Sequence, residues 1–258
     1  HVRLHSFPTR RSSDLVFPAY NETRRLPASL REVTAWAQAQ PWPVEIVVAD
    51  DGSTDGTPEQ VRAEFPHCIV LDGEPNKGKG AAVARGMQAA RGRFRLFSDA
   101  DLSTPIGEAN GMLEAMARGG YDIVIASRAL PESRLDVRQP PWREAAGRAF
   151  NMIVRPLSGL PFRDTQCGFK LFTAQAVETI FPHQQSSGWA FDVELLMLAR
   201  AFGLRVLEHP VRWINNDASK VSLLSDAPRM LRDIIQFRLR ILRDRPQAAQ
   251  PAPRQETR

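Results

Sequence analysis

The sequence predicts an α/β fold in which helices flank a mostly parallel central sheet. Between residues 15 and 127, five short apolar runs alternate with helical patterns, which is typical of βαβ units. The chain has 258 residues, 43% of them hydrophobic and 24% charged, and this composition suits one large α/β domain with extensions. Polar loops follow several of the apolar runs, and the carboxyl ends of parallel strands are where such sheets bind ligands.

The apolar runs predict strands at residues 15–17, 45–49, 68–71, 94–97 and 122–126. Between them, Thr57 followed by Pro58 indicates a helix start with Thr57 as N-cap, and Gly80 opens an alanine-rich helix that closes at Gly92. Arg95 lies inside a predicted strand, although a strand buried on both faces should carry no charge. We expect either that this strand lies near an edge or that Arg95 reaches out of the sheet.

After residue 128 the alternation weakens, and a proline-rich loop at 131–141 precedes a helix near 143–154. The pattern then predicts helices at 174–181 and 191–202, a strand at 205–209 and a last helix at 228–243. Residues 246–258 are polar and proline-rich, so we expect them to be disordered. Residues 1–14 are basic and serine-rich and are interpreted as a non-native or disordered leader, which would cut the first strand short.

Cysteine content and charge argue against several kinds of protein. Cys68 and Cys167 lie far apart without a C-x-x-C pair, which argues against a zinc site or a disulfide framework and fits a reducing compartment. The net charge of +5 suits an anionic partner without indicating nucleic acid. No apolar run approaches the ~20 residues that a membrane-spanning helix needs, so any membrane contact is expected to be peripheral.

The segment FRLFSDADLSTP at 94–105 is the most informative stretch, because a predicted strand ends directly in Asp99 and Asp101. Carboxylates at the carboxyl end of such a strand can hold a hard divalent cation against a diphosphate. The earlier loop ADDGSTDGT places Asp50 and Asp51 at another strand end. Two adjacent carboxylates repel each other there, so we expect a ligand donor, such as a base imide or a ribose hydroxyl, to satisfy them.

The loop GEPNKGKG at 73–80 begins like a Walker A sequence, after a strand and before a helix. Gly80 stands where a P-loop needs a serine or threonine hydroxyl, which argues against a nucleotide triphosphatase. A basic, glycine-rich turn at a helix start still suits an anion, so Lys77 and Lys79 are candidates for contact with phosphate oxygens.

Seven motifs occur together in one order: PAYNE at 18–22, DDGSTDGT, NKGKGAAV, DADLSTP, Ser127-Arg128, DTQCGFK at 164–170 and Ala218-Ser219-Lys220. In this order and spacing the chain resembles family 2 glycosyltransferases, and most of all the dolichyl-phosphate or polyprenyl-phosphate hexosyltransferase branch. The resemblance implies a GT-A nucleotide-diphospho-sugar transferase fold over one domain at 15–245. It comprises a nucleotide-binding half at 15–127, an acceptor half at 128–227 and a basic amphipathic helix at 228–245.

The resemblance also implies roles for individual residues. It assigns the metal to Asp99 and Asp101, catalysis to Asp101, Arg128 and Asp164, and the acceptor phosphate to Arg128 and Lys220. The residues implied in binding the nucleotide sugar are Pro18, Tyr20, Glu22, Asp51, Lys79, Asp99, Ala100 and Gln166. The cofactor would be Mg²⁺ or Mn²⁺. The segments DTQCGFK and WAFDVELL are more similar to UDP-glucose enzymes than to GDP-mannose enzymes.

The implied function is inverting transfer of a hexose onto a dolichyl or polyprenyl phosphate at the cytoplasmic face of a membrane. The favoured hexose is glucose, with UDP-glucose as the donor. A GDP-mannose enzyme, a P-loop NTPase and a non-catalytic nucleotide-sugar-binding protein remain the alternatives. A lipid phosphate needs no general base, whereas a sugar hydroxyl acceptor would need one, for which Asp164 and Asp192 are the candidates. The last helix, with six arginines between 229 and 245, can lie on a membrane or pack its apolar stripe on the domain.

Overall fold

The computed structural model describes residues 12–73, 75–137, 140–215 and 223–244. Its main sheet has seven strands in the order β3-β2-β1-β4-β7-β5-β8. These are β1 Ser13–Ala19, β2 Val44–Asp50, β3 Ile69–Leu71, β4 Phe94–Ser98, β5 Ile123–Ser127, β7 Phe169–Thr173 and β8 Val206–Pro210. All neighbours pair in parallel except β7, which runs antiparallel to both β4 and β5. The short strands β6 Arg134–Val137 and β9 Arg212–Ile214 form a second, two-stranded sheet.

Helices cover both faces of the main sheet, because alternate side chains of each strand are apolar on both sides. The described helices are α1 Leu26–Gln38, α2 Thr57–Glu64, α3 Lys79–Ala89, α4 Glu108–Gly119, α5 Pro141–Ser158, α6 Ala174–Ile180, α7 Phe191–Ala201 and α8 Leu223–Asp244. In β1, Val16 packs in the core layer that contains α3, α6, α7 and α8, whereas Leu15 and Phe17 pack in the layer that contains α1, α2 and α4. The predicted α/β architecture is confirmed.

The first strand is longer than predicted. β1 begins at Ser13 and pairs along its whole length with β2, so residues 13 and 14 belong to the sheet. The Asp14 side chain is buried and accepts hydrogen bonds from the backbone N–H groups of Arg91 and Gly92 at 2.6 and 2.7 Å. Residues 1–11 lie outside the described part of the chain, and the interpretation of the leader as non-native stays a prediction.

Arg95 is buried in a central strand, so the expectation of a nearby sheet edge is wrong and the alternative holds. Its guanidinium turns out of the sheet and donates hydrogen bonds to the carbonyl oxygens of Met87 and Gly92 at 3.3 and 3.1 Å. These carbonyls lie at and just after the end of α3, where a helix leaves acceptors without partners. The charge is therefore tolerated because it caps a helix.

Three short elements of the second half were missed. The proline-rich loop contains β6, the DTQCGFK segment leads into β7, and β9 follows β8 after one residue. The start of α2 also differs: Gly56, with φ of +86°, is the N-cap, and the Thr57 hydroxyl instead accepts a hydrogen bond from the backbone N–H of Glu22 at 2.9 Å. Among the described residues, no helix combines the length and the apolar character that crossing a bilayer requires.

Candidate active site

A cavity of about 900 Å³ opens at the carboxyl ends of the parallel strands. Its lining includes every predicted site residue that the structure describes: Pro18, Tyr20, Glu22, Asp51, Lys79, Asp99, Ala100, Asp101, Arg128, Asp164 and Gln166. Lys220 lies outside the described residues, so its predicted contact with the acceptor phosphate stays a prediction. The fold thus brings side chains from the ends of β1, β2, β4 and β5 to one hollow, as expected for an open α/β sheet.

The two carboxylates that follow β4 face this cavity. Asp101 accepts a hydrogen bond from the backbone N–H of Ser103 at 3.0 Å, and the Arg25 guanidinium lies 3.9 Å from its second oxygen. Burial raises the pKa of Asp101, and the negative charge of Asp99 raises it further. A cation at this point would offset both costs.

Their donor set fits a hard divalent cation, because carboxylate oxygens are the ligands that Mg²⁺ and Mn²⁺ prefer. The described residues contain no cluster of three or more histidine, cysteine, aspartate or glutamate side chains placed to hold a metal. Asp99 and Asp101 would therefore hold the ion together with oxygens of a bound diphosphate and water, which is a common arrangement for Mg²⁺.

Lys79 stands at the first position of α3 and brings a positive charge to the same place. Its ammonium nitrogen lies 2.5 Å from an Asp99 carboxylate oxygen and 5.4 Å from the centre of the Trp189 ring. Burial alone would lower the pKa of Lys79, but the nearby carboxylates, Asp99 first, outweigh it and the pKa is raised. Lys79 is therefore charged at neutral pH, and with the N-terminus of α3 it can attract an anion.

The adjacent carboxylates at the end of β2 already accept backbone hydrogen bonds, although the Oδ1 atom of Asp50 is buried without a partner, and the expectation of a ligand donor there stays a prediction. Asp51 accepts hydrogen bonds from the backbone N–H groups of Lys77 and Gly78 at 3.0 and 2.8 Å. Asp50 accepts from the backbone N–H groups of Gly52 and Ser53, each at 2.9 Å. Asp51 lines the cavity, but its hydrogen bonds hold the loop that leads to Lys79.

The loop after β1 is held in a similar way. Glu22 is buried and forms an ion pair with Arg25 at 2.6 Å, which directs Arg25 toward Asp101. Tyr20 lies nearby with 39% of its surface exposed, so its ring is available to a flat ligand. Arg25 was not among the predicted residues, because an arginine in a surface helix start has no distinguishing pattern in the sequence.

Arg128 and Asp164 form a bidentate ion pair on the far side of the cavity. The guanidinium Nε and Nη2 atoms donate to the two carboxylate oxygens at 2.6 and 2.9 Å, and the Arg128 backbone N–H adds a third bond at 3.0 Å. Burial alone would raise the pKa of Asp164, but Arg128 outweighs it and the pKa falls to about 2. Asp164 is therefore a weak base whose geometry fixes Arg128.

The model of the glycosyl transferase family 2 domain matches residues 14–181. The chain belongs to glycosyl transferase family 2. A relative from Dictyostelium discoideum, named dolichyl-phosphate beta-glucosyltransferase, is 34% identical and covers 88% of this chain and 74% of its own length. The Homo sapiens protein of the same name is 32% identical, over 91% of this chain and 77% of the relative.

Solved structures agree on the fold. Mannosyl-3-phosphoglycerate synthase from Rubrobacter xylanophilus superimposes with a TM-score of 0.68 at 21% identity, over 94% of this chain and 78% of that one. Glucosyl-3-phosphoglycerate synthase from Mycobacterium tuberculosis, solved with Mn²⁺, UDP and its product, gives a TM-score of 0.63 at 19% identity, over 89% of this chain and 79% of that one. The predicted family and GT-A fold are confirmed.

One buried ion pair of this family 2 protein, next to the cavity-lining residue Asp192, was not predicted. Lys170 is fully buried in β7, and its ammonium lies 2.5 Å from Asp192, an alternative candidate for a general base. Burial raises the pKa of Asp192, although Lys170 and then Lys79 oppose that effect. Lys170 lies inside the apolar run FKLF, and a charge in such a run could have predicted a buried partner. Arg95 in FRLF is a similar case.

Two tryptophans also line the cavity. Trp189 lies beside Lys79, and the Arg128 guanidinium carbon lies 5.6 Å from the centre of the Trp213 ring. α5 supplies a further wall with Arg143, Glu144, Gly147, Arg148, Phe150 and Asn151. Trp213 and the α5 residues belong to segments without a recognisable motif, so only the tertiary fold reveals that they share the site.

Proposed function

We propose that this protein is an inverting hexosyltransferase that moves glucose from UDP-glucose onto a dolichyl or polyprenyl phosphate. The observation that carries the proposal is the cavity in which Asp99 and Asp101 meet Lys79 and Arg128, in a chain whose relatives carry the name dolichyl-phosphate beta-glucosyltransferase. The cavity offers acidic oxygens with cationic groups next to them. That combination suits a metal-bound diphosphate beside a second phosphate.

The donor would bind over the ends of β1, β2 and β4, with Tyr20 against the base and Lys79 near the diphosphate. Asp99 and Asp101 would hold the divalent ion, with Asp101 as the direct ligand. A Mg²⁺ or Mn²⁺ ion held there would act as a Lewis acid that offsets the charge on the departing diphosphate. Asp164 and Gln166 would face the sugar from the other side of the cavity.

The acceptor phosphate is already ionised near neutral pH, because the second pKa of a phosphate monoester is about 6. One of its oxygens can attack the anomeric carbon while the bond from that carbon to the diphosphate breaks, so no proton has to move. Attack from the opposite side turns an α-linked donor into a β-linked product. Catalysis would then rest on positioning and on charge neutralisation.

Arg128 suits the acceptor phosphate. Its Nε and Nη2 atoms are occupied by Asp164, which fixes the plane of the guanidinium and leaves Nη1 for a phosphate oxygen. The low pKa of Asp164, about 2, makes this carboxylate a poor general base. Lys220 would add a second cation to the acceptor site and remains a prediction.

We further propose that α8 brings the enzyme to the cytoplasmic face of a membrane. One side of the helix packs on the domain, since Met230, Ile234 and Phe237 are buried against the core, and the exposed side supports a membrane contact, since Leu239 and Leu242 are each 62% exposed. Exposed leucines among arginines suit an anionic membrane interface. The free cysteines Cys68 and Cys167 agree with a reducing compartment.

The alternatives lose support. A Cβ at position 80 would lie 2.5 Å from the carbonyl oxygen of Ser186, so the serine or threonine of a P-loop does not fit there. A non-catalytic protein is less favoured as well, because β1 extends from Ser13 to Ala19 and pairs with β2 along this length. A GDP-mannose enzyme remains the alternative that a donor screen has to address.

The test is incubation with Mn²⁺ and a short polyprenyl phosphate, with UDP-glucose and GDP-mannose in separate reactions, followed by measurement of released nucleotide and glycolipid. We expect UDP release with formation of glucosyl lipid, and none after chelation of the metal. Release of GDP with mannosyl lipid would establish the alternative donor. Donor binding without release, or ATP hydrolysis without sugar transfer, would reject the proposal.

A further inference from the structure

Glu194 on α7 is a fully buried carboxylate outside the site described above. It accepts hydrogen bonds from the backbone N–H groups of Gln185 and Ser186, the shortest at 2.7 Å. Its charge is paired with Arg240 of α8, whose Nη2 lies 2.5 Å from a Glu194 oxygen. Only 16% of the Arg240 side chain is exposed, so water screens this pair weakly. The C-terminal helix is thus bonded to the segment 184–189 through one carboxylate.

The other side of that segment is bonded to the first turn of α3. The backbone N–H of Gly80 donates to the Ser187 carbonyl at 2.7 Å, and the Gln184 side-chain amide donates to the Gly80 carbonyl at 2.9 Å. This turn carries Lys79, whose ammonium pairs with Asp99. The same segment ends in Gly188 and Trp189, which line the cavity.

The segment and the first turn of α3 are packed closely, backbone against backbone. Gly78 has a φ of +104°, and a Cβ at this position would collide with the Ser187 carbonyl oxygen. A Cβ at Gly80 would lie 2.5 Å from the Ser186 carbonyl oxygen. Because the backbones touch without an intervening side chain, a shift of the segment displaces the turn that holds Lys79.

We propose that Arg240 is a positioning residue for donor binding, which acts through Glu194 and the segment 184–189 on Lys79 and Trp189. The inference rests on the proposed function in one respect, the identification of the donor as a nucleotide sugar. Residues 184–189 and α8 both lie beyond residue 181, where the family match ends. The C-terminal helix is then part of the donor site as well as a candidate membrane contact.

The experiment compares Arg240→Gln, Arg240→Lys and Arg232→Gln in the full chain. Arg232 is the matched control, because it lies on the same helix, is exposed and would lose the same charge. We expect Arg240→Gln to raise the KM for UDP-glucose and the Kd for UDP with Mn²⁺ about tenfold, with a smaller change in kcat. Arg240→Lys should recover part of the loss, and Arg232→Gln should match the wild type.

A double-mutant cycle with Glu194→Gln adds a second readout, in which the combined variant should lose little more than either single variant. A lowered melting temperature with an unchanged KM and Kd would show that the pair only stabilises the fold, and would overturn the inference. Equal effects of Arg240→Gln and Arg232→Gln would overturn it as well. If the wild type binds UDP but transfers no glucose, the proposed function fails, while the Kd comparison still decides the role of Arg240.

Discussion

Replacing Asp164 by asparagine should lower the free energy of unfolding by an amount that follows from the contacts of its carboxylate. The substitution keeps the shape of the side chain and removes the charge that Arg128 contacts through Nε, Nη2 and its backbone N–H. The carboxylate side chain is only 8% exposed, so solvent cannot replace the lost partner. We expect Asp164→Asn to destabilise the fold and to impair catalysis through misplacement of Arg128.

The lowered pKa of Asp164 gives part of the expected loss in the free energy of unfolding. It falls from an ordinary value of 3.8 to about 2 in the folded protein, and each pKa unit corresponds to about 1.4 kcal/mol, so the ionised form contributes about 2 kcal/mol to stability. Removing one partner of a fully buried ion pair costs about 3–5 kcal/mol, a range that already includes this contribution. Because a third of the Arg128 side chain is exposed, we expect a total loss of about 3 kcal/mol, near the lower limit of that range.

Urea unfolding at pH 7 and at lower pH measures this loss. Since the folded pKa of Asp164 lies below the unfolded one, its contribution is complete above pH 4 and disappears as the pH falls toward 2. The difference between wild type and variant should therefore narrow over that interval. Asp136→Asn is the control, because the Asp136–Arg212 pair is exposed and should contribute less than about 1 kcal/mol. If Asp164→Asn lowers the free energy of unfolding at pH 7 no more than Asp136→Asn does, the Asp164–Arg128 pair does not stabilise the fold as expected.

Three further predictions concern the metal, the pH profile and the membrane. Asp101→Asn should lower metal-dependent turnover by about 10²–10³-fold, because it removes the proposed metal ligand. It should not lower stability, because the pKa of this carboxylate is raised in the folded protein. Unchanged turnover would reject Asp101 as the metal ligand. The value of kcat/KM should rise with pH through about 6, as the acceptor phosphate ionises. Asp164, with a pKa of about 2, should cause no further change in kcat/KM above pH 5. A value of kcat/KM that stays constant through pH 6 would contradict this mechanism. Glutamate at both Leu239 and Leu242 should reduce flotation with anionic liposomes, whereas Gln236→Glu, at an exposed polar position, should not; equal flotation of both variants would exclude α8 as the contact.

The parallel strands were predictable because each is a local apolar run flanked by turn residues. β2, β4 and β5 start and end within two residues of the predicted positions. β7 was not predictable in this way, because it lies antiparallel between β4 and β5 and carries Lys170 in its middle. A lysine normally argues against a buried strand. Here it is satisfied by Asp192, which belongs to a helix 22 residues further along the chain.

The roles of the acidic residues were harder to predict than their location. Strand ends collect carboxylates for two physical reasons: backbone N–H groups of the following loops need acceptors, and substrates need charged partners. Asp51 meets the first need, since its donors are the backbone N–H groups of Lys77 and Gly78, 26 and 27 residues away, while its role toward a ligand stays a prediction. No local pattern shows such a distant donor, so an adjacent acidic pair looks like a ligand site whether or not it is one.

Asp99 and Asp101 also lie close to cationic side chains, namely those of Lys79 and Arg25. Asp99 pairs with a lysine side chain, which can move aside, and the pKa of Asp101 is raised by burial and by the charge of Asp99. The raised pKa of Asp101 indicates an anion whose burial the folded protein compensates incompletely. Such a carboxylate stabilises the fold less and favours a positive ligand. These contacts, which come from across the fold, support the proposal that Asp101 is the metal ligand more specifically than the acidic motif does.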